Sequence, residues 1–327
     1  MDLFTHVLLA YLLTYGLVGA NPSYLAAGAL AGGLPDADVL FFPLARRFPI
    51  LRHHGITHSL FGVTVVALAG AFVAPLLAPG SALVYFLVME AGGIAHVLGD
   101  GFTHFSVPPL LPFSERKLEL DADRAINFLT MGVSIGSFYL LLGVERNHVP
   151  FAWYVATVYG LMAFYAAYLG LRLAGRYLIT RHRAALAPDA VPIPSGNPFN
   201  WLLLSERRDG ASVRTTWARY RLGRGLVEGP FTVEASLVAS PHPGSPRSAA
   251  EALDWSYPLA REASRMMEMT YHFGEAFERP GGDWEAIWYS LEFTMFGRSQ
   301  AVRVRFPVAG GAPHVRTAFY RPVTAAV

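Results

Sequence analysis

Gly92-Gly93-Ile94-Ala95-His96-Val97-Leu98-Gly99-Asp100-Gly101-Phe102-Thr103-His104 closes a long apolar run and carries three ionisable side chains at intervals of four. On an α-helix a step of four residues turns a side chain by only about 40°, so His96, Asp100 and His104 share one face. Along the axis the two histidines stand about 12 Å apart, too far for one ion with bonds of about 2 Å. Each is one turn from Asp100, whose two carboxylate oxygens can bridge two ions about 3.5–4 Å apart. A dinuclear site and a mononuclear site using two of the three are both open. Three potential ligands in register within a segment of lipid-spanning length are costly to bury, which favours metal binding over polar groups satisfied inside a helical bundle.

The whole chain is too apolar for an ordinary soluble enzyme: 53% of its 327 residues are hydrophobic, only 15% are charged, and the mean hydropathy is +0.34. It reads as a membrane protein. The formal charge of +2 is small and the basic residues are scattered, so nucleic-acid binding has no support. With no cysteine, a metal must be held by imidazole and carboxylate, which suits Zn, Mn or Fe rather than Cu(I). Leu17-Val18-Gly19-Ala20 resembles a signal-peptide cleavage site, but Met1-Asp2 brings no basic n-region and His6 interrupts the apolar stretch, so a retained first span is expected.

Apolar runs of spanning or near-spanning length lie near 3–20, 22–42, 58–79, 81–104, 126–144 and 150–176. The second, rich in Gly and Ala and ending in Leu34-Pro35-Asp36-Ala37-Asp38, has the character of a broken or re-entrant helix supported by its neighbours. Basic residues gather on the cytoplasmic side of a membrane. With the N-terminus inside, the inner loops carry Arg46, Arg47, Arg52, Arg116, Lys117, Arg124, Arg176, Arg181 and Arg183, and the outer connections only Arg146. The same topology gathers His6, Asp36, Asp38, His53, His54, His58, His96, Asp100 and His104 at the inner helix ends.

Six of the eleven histidines belong to this group, whereas His148, His182, His242, His272 and His314 show no ligand spacing and read as surface or core residues. Thr57 or Ser59 suits a helix N-cap. Asp36 and Asp38 follow Pro35 and would pass for turn residues if taken alone. Beside the histidines they offer hard oxygen donors for a dication, and one of them could serve as general base. His6 competes between ligand and hydrogen-bonded core residue. Glu90, rotated about 120° from His96, reads as a pairing residue within the bundle, and His54, Asp121 and Asp123 as supporting or loop residues.

These pieces, in this order, resemble the YdjM-like family of membrane-bound metal-dependent hydrolases. The likeness covers roughly residues 1–125: Asp2-x-x-Thr-His6, Leu34-Pro-Asp-x-Asp38, His53-x-Gly-x-Thr-His-Ser59 and His96-x-x-x-Asp-x-x-Thr-His104, followed by Pro112-Phe113-Ser114. The resemblance implies a metal-binding hydrolase site carried by His6, Asp36, Asp38, His53, His58, His96, Asp100 and His104. It also makes Asn197-Pro198-Phe199-Asn200-Trp201 look like the start of a soluble extension found in some members. One departure is His54, where that family commonly has Arg; an imidazolium replaces a guanidinium only partly as a phosphate anchor.

Residues 184–199, with Pro188, Pro192, Pro194 and Pro198, read as a linker. Beyond it, 212–222, 231–238, 284–296, 301–308 and 315–320 have strand character, and 249–273 is helical with Met266, Met267 and Met269 at core spacing. Trp217, Arg219 and Arg221 alternate, as on a solvated sheet face or one turned to phospholipid headgroups.

The expected fold is therefore an α-helical multi-pass membrane domain of about six helices (1–183), a Pro-rich linker (184–199) and a small cytoplasmic α+β domain with an antiparallel sheet (200–327). The expected function is a hydrolase in a prokaryotic inner membrane, using one or two divalent ions, zinc foremost, on an amphiphilic substrate such as a phosphoester lipid. Asp36 or Asp38 would remove the proton. The competing reading is a non-enzymatic scaffold or regulator in which the ion ties helix ends together. A metal transporter is disfavoured, because the outer helix ends are nearly free of polar residues.

Overall fold

The computed structural model describes residues 1–41, 48, 53–103, 106–124, 126–146, 150–183, 187–209, 212–236, 245–264, 272–295 and 298–320. The chain forms two compact units, Met1–Arg176 with Pro194–Pro198, and Tyr177–Ile193 with Phe199–Val327.

The first unit is helical. Its helices are α1 (Leu3–Val18), α2 (Pro22–Gly33), α3 (Leu60–Leu77), α4 (Ala82–Phe102), α5 (Phe128–Arg146) and α6 (Phe151–His182), the last running on into the second unit. Their starts are set by local chemistry. The Asp2 carboxylate accepts from Thr5 N, Asn21 Oδ1 accepts from Ser23 N and Tyr24 N, and Ser59 Oγ accepts from Gly62 N. Ser59 is thus the cap of α3, and Thr57 is left for another role.

Three of these helices, α3, α4 and α6, are long and apolar enough to cross a membrane. α1 and the Phe128–Leu141 part of α5 are apolar but shorter. α2 stops after 12 residues, one residue before Pro35, and the chain continues as a 3-10 helix over Pro35–Phe41. The second expected span is therefore broken, because proline lacks the amide hydrogen that the next helical bond needs.

Glycines let α1, α2 and α4 approach closely, as small residues do wherever membrane helices meet. A Cβ on Gly92 would stand 2.3 Å from the Gly28 carbonyl oxygen, and one on Gly32 would stand 2.3 Å from the Ala10 Cβ. At the far end of α4 the chain folds back: Leu120 N donates to Gly101 O at 2.8 Å, and Ala122 N to Phe102 O at 2.9 Å. Arg172, fully buried on α6, clamps this return. Its Nε donates to Ala122 O (2.9 Å) and its guanidinium pairs with Asp123 (2.8 Å), which also accepts from Tyr168 and Asn127. A buried arginine is tolerated here because the carboxylate balances its charge and, with the carbonyl, accepts its hydrogen bonds.

The second unit holds two four-stranded antiparallel sheets, β1-β2-β3-β4 and β5-β6-β7-β8, where a single sheet was expected. The strands are Val191–Pro194, Asn200–Asp209, Ser212–Arg221, Gly225–Ser236, His272–Glu278, Trp284–Met295, Arg298–Phe306 and His314–Tyr320, in order. Ile193, Leu202, Leu204 and Trp217 of the first sheet meet Ile287, Tyr289 and Ala301 of the second. Helix α7 (Ala249–Ser264) packs Tyr257 and Ala260 against Trp288, Val302 and Val304. β1 lies inside the Pro-rich stretch read as a linker. Met266, Met267 and Met269 lie outside the described residues.

Trp217 is buried rather than on a solvated or headgroup-facing surface. β3 keeps an unbroken register with β2, and the irregularities of the β3–β4 pairing fall in β4. Trp217 and Arg219 therefore share one face of β3, on which Trp217 packs against Ile193, Leu202 and Leu204. Arg219 pairs with Glu228 at 2.8 Å.

Gly92→Ala is expected to destabilise the helical unit by about 1–3 kcal/mol through overpacking against the α2 backbone. Gly136→Ala, with nothing within 4 Å of the added carbon, should leave the melting temperature in detergent unchanged or slightly raised.

Candidate metal centre

Four side chains from three elements converge at the C-terminal end of α4. Asp36 comes from the 3-10 helix after α2, His58 from a second short 3-10 helix (Ile56–His58) before α3, and His96 and Asp100 from α4. One ligand atom from each lies within 4.8 Å of all the others. His58 Nε2 is 3.5 Å from both Asp36 Oδ1 and Asp100 Oδ2. His96 Nε2 is 3.6 Å from Asp36 Oδ1 and 3.2 Å from Asp100 Oδ2. A tetrahedral ion with bonds of about 2.0–2.1 Å places its ligand atoms about 3.3–3.4 Å apart. These residues could hold one metal ion.

The hydrogen bonding fits such an ion. His58 Nε2, His96 Nε2 and Asp100 Oδ2 are buried and have no hydrogen-bond partner. Leaving a buried polar atom unsatisfied costs about 1–3 kcal/mol, and these three atoms point to one spot. Each imidazole is also held by its other nitrogen. His96 Nδ1 donates to Gly32 O at 2.7 Å, and His58 Nδ1 lies 3.1 Å from Thr57 Oγ1 and 3.3 Å from Asp38 Oδ2. Anchoring Nδ1 in this way fixes the tautomer that leaves Nε2 free to coordinate.

The described ones among the remaining expected site residues, Asp38, His6 and His53, surround the quartet. Asp38 accepts from Thr57 Oγ1 (2.7 Å) and faces His53 Nδ1 (2.7 Å) as well as His58, so both its oxygens are occupied. Burial pushes the Asp38 carboxyl up, but His53, His58 and Thr57 outweigh it and hold the group well below the usual carboxylate range. His6 stacks on His96 with ring centres 3.8 Å apart, and its Nε2 meets Asp100 Oδ1 at 3.0 Å. The Met1 amino group reaches the same oxygen. His53, His54 and His58 also offer nitrogens within 4.8 Å of one another, with His53 the exposed member and His54 in the left-handed region at φ 59°. His104 lies outside the described residues, and α4 ends at Phe102. Of the periodic trio, His96 and Asp100 are the pair that the structure brings together.

Two contributors went unread in the sequence. The Gly32 carbonyl has no side-chain signature at all, and Thr57 was read only as a helix cap. Glu90 accepts from Thr64 Oγ1 at 2.8 Å, a pairing within the bundle, as expected.

With this geometry in place, comparison with known proteins gives one result. The profile of the YdjM inner membrane protein family matches residues 1–178, more than half of the chain and all of the metal-centre residues. The chain belongs to this family. Searches of curated proteins and of solved structures found no match. Membership and the apolar helices agree that this YdjM-family chain is a membrane protein.

Two outcomes are expected. Asp36→Ala and His96→Ala should each remove stoichiometric metal by elemental analysis, whereas His6→Ala and Asp38→Ala should weaken affinity about 10–100-fold in a chelator competition. The second concerns the metal-free chain. Burial lowers the His58 value, but Asp36, Asp38 and Asp100 override it and push it from 6.5 up to about 9. Stability from protonated His58 is then complete below 6.5 and lost as pH rises through about 9. Metal-free protein should therefore melt at a lower temperature at about pH 9.5 than at about pH 6, and His58→Gln should flatten the dependence.

Proposed function

We propose that the protein is a metal-dependent hydrolase of the inner membrane, acting on a phosphoester lipid at the cytoplasmic headgroup level. The observation that carries this reading is the buried quartet of Asp36, His58, His96 and Asp100, with tetrahedral spacing and one member, Asp36, still 22% exposed. Zinc suits two imidazoles and two carboxylates at these separations. A divalent ion held there supplies Lewis acidity, lowering the pKa of a water and polarising the phosphoryl group.

The chain supplies the rest. His58 and His96 are held in the coordinating tautomer by Asp38 and Gly32 O, so Asp38 is a positioning residue. Asp36 is the general base: its Oδ1 faces the two imidazoles, and its other oxygen takes a proton from the attacking water. The water oxygen bonds to phosphorus, the P–O bond to the leaving group breaks, and the proton passes from Asp36 to the departing oxygen. In this reading the helices make a multi-pass domain of about six spans, with the N-terminus and the sheet unit in the cytoplasm. The inner-loop arginines support that orientation.

A second reading has one observation in its favour. Four protein ligands saturate a tetrahedral ion, as in structural sites, and the protein would then be a metal-stabilised scaffold.

Purified full-length protein in vesicles of phosphatidylethanolamine and phosphatidylglycerol should release water-soluble phosphoester or phosphate, followed by mass spectrometry. Asp36→Asn should lower the rate about 10²–10⁴-fold. Stoichiometric metal with no lipid turnover on any phosphoester headgroup would leave the scaffold reading standing alone.

A further inference from the structure

An apolar cavity of about 300 Å³ opens beside the metal centre. It is walled by Ala31 and Leu34 of the α2 end, Val63 and Val66 of α3, and Met89 and Gly93 of α4. Pro35 and Thr57 also line it, and each is the immediate chain neighbour of a quartet member, Asp36 and His58. The cavity therefore begins at the ligands.

Its direction follows from the three elements. On α2 the lining residues precede Asp36, on α3 they follow His58, and on α4 they precede His96. On every wall the cavity runs from the quartet toward the helix interior. From His96 to Met89 it extends about 10 Å at 1.5 Å per residue, or about two-thirds of the depth of a leaflet in a hydrocarbon core of about 30 Å. Its flank is open: Phe61, Val65 and Val66 are 45%, 50% and 40% exposed. They belong to α3, whose mean hydropathy of 2.3 and outward Phe72, Leu76 and Leu77 put hydrocarbon on that side.

We propose that this cavity is an acyl-chain slot, which takes one chain of a membrane lipid sideways from the bilayer and brings its phosphoester head to Asp36. The identity of the head rests on the hydrolase reading; the slot itself rests on the walls. Among the described lining residues Thr57 is the one side chain with a strong hydrogen-bonding group, and it is committed to Asp38. A polar ligand would therefore find no free partner among these described walls, whereas a polymethylene chain needs none. Gly93 lets Val63 of α3 pack directly on the α4 backbone, since a Cβ there would stand 2.4 Å from Val63 Cγ1, and this contact forms the inner wall of the slot.

The test uses full-length protein in vesicles of phosphatidylethanolamine containing phosphatidylglycerol with a diazirine midway along one acyl chain. After photolysis, mass spectrometry should find adducts on Ala31, Val63 and Met89, which are otherwise buried. Val66→Trp, at a half-exposed position that accepts bulk, should cut these adducts about tenfold while leaving those on outward Leu76 and Leu83 unchanged. Ala31→Leu, filling the slot from α2, should do the same. Adducts confined to Leu76, Leu83 and Phe72 in the native protein would overturn the slot. Labelling in a chain that cleaves no lipid keeps the slot and removes the hydrolase reading, whereas lipid cleavage without labelling does the reverse.

Discussion

Two imidazoles and two carboxylates cannot share a few ångströms of buried space unless something positive sits among them. The carboxylates of Asp36 and Asp100 repel each other, and the Nε2 atoms of His58 and His96 face them with no partner of their own. Protons can fill the gap, which is why His58 holds its proton so firmly in the metal-free chain. A dication fills it better, because it satisfies all four ligand atoms at once. The surrounding groups serve this condition. Asp38, Thr57 and the Gly32 carbonyl turn the rings, while His6 and the Met1 amino group engage the Asp100 oxygen that faces away from the quartet.

The break in α2 makes this possible. Had the helix continued through residue 42, Asp36 and Asp38 would have remained on an α-helical rod. On the 3-10 helix that follows Pro35 a step of two residues turns about 240°, so the two carboxylates stand about 120° apart, where an α-helix would hold them about 160° apart. Both can address His58, from different sides. Asp36 then faces His58 and His96, while Asp38 reaches back to His53, Thr57 and the far side of His58. Two carboxylates of identical chemistry thus take different places, one among the ligands and one behind them. The glycine contacts between α2 and α4 complete the geometry, since the approach that seats Gly92 on the Gly28 carbonyl also brings Gly32 O within reach of His96.

Legibility differed between the two units for a physical reason. Spans and ligand residues carry strong one-dimensional signals, namely hydropathy and residue type at fixed spacing. In the sheet unit, β3, β4, β6, β7 and β8 could be read from alternation or from β-branched and aromatic content. β2 could not, because Trp201-Leu202-Leu203-Leu204 is apolar on both faces and is buried throughout. Trp217 was misread because its face is covered by Ile287, Tyr289 and Ala301 of the second sheet, which are distant in the chain. Arg172 went unread because a lone cation in an apolar run shows its purpose only when Asp123 and the Ala122 carbonyl are seen around it.

Composition and spacing alone established a membrane chain followed by a strand-rich unit, and they named the residues with the chemistry to bind a cation, because those properties belong to single residues and short periods. Which of the residues become ligands and which support them depended on the tertiary structure. That division is set by a helix ending at Pro35, by backbones brought together at glycines and by the tautomer each imidazole is forced to keep. The helix end is written locally by Pro35, but the other two arise between segments distant in the chain, so no local pattern encodes them.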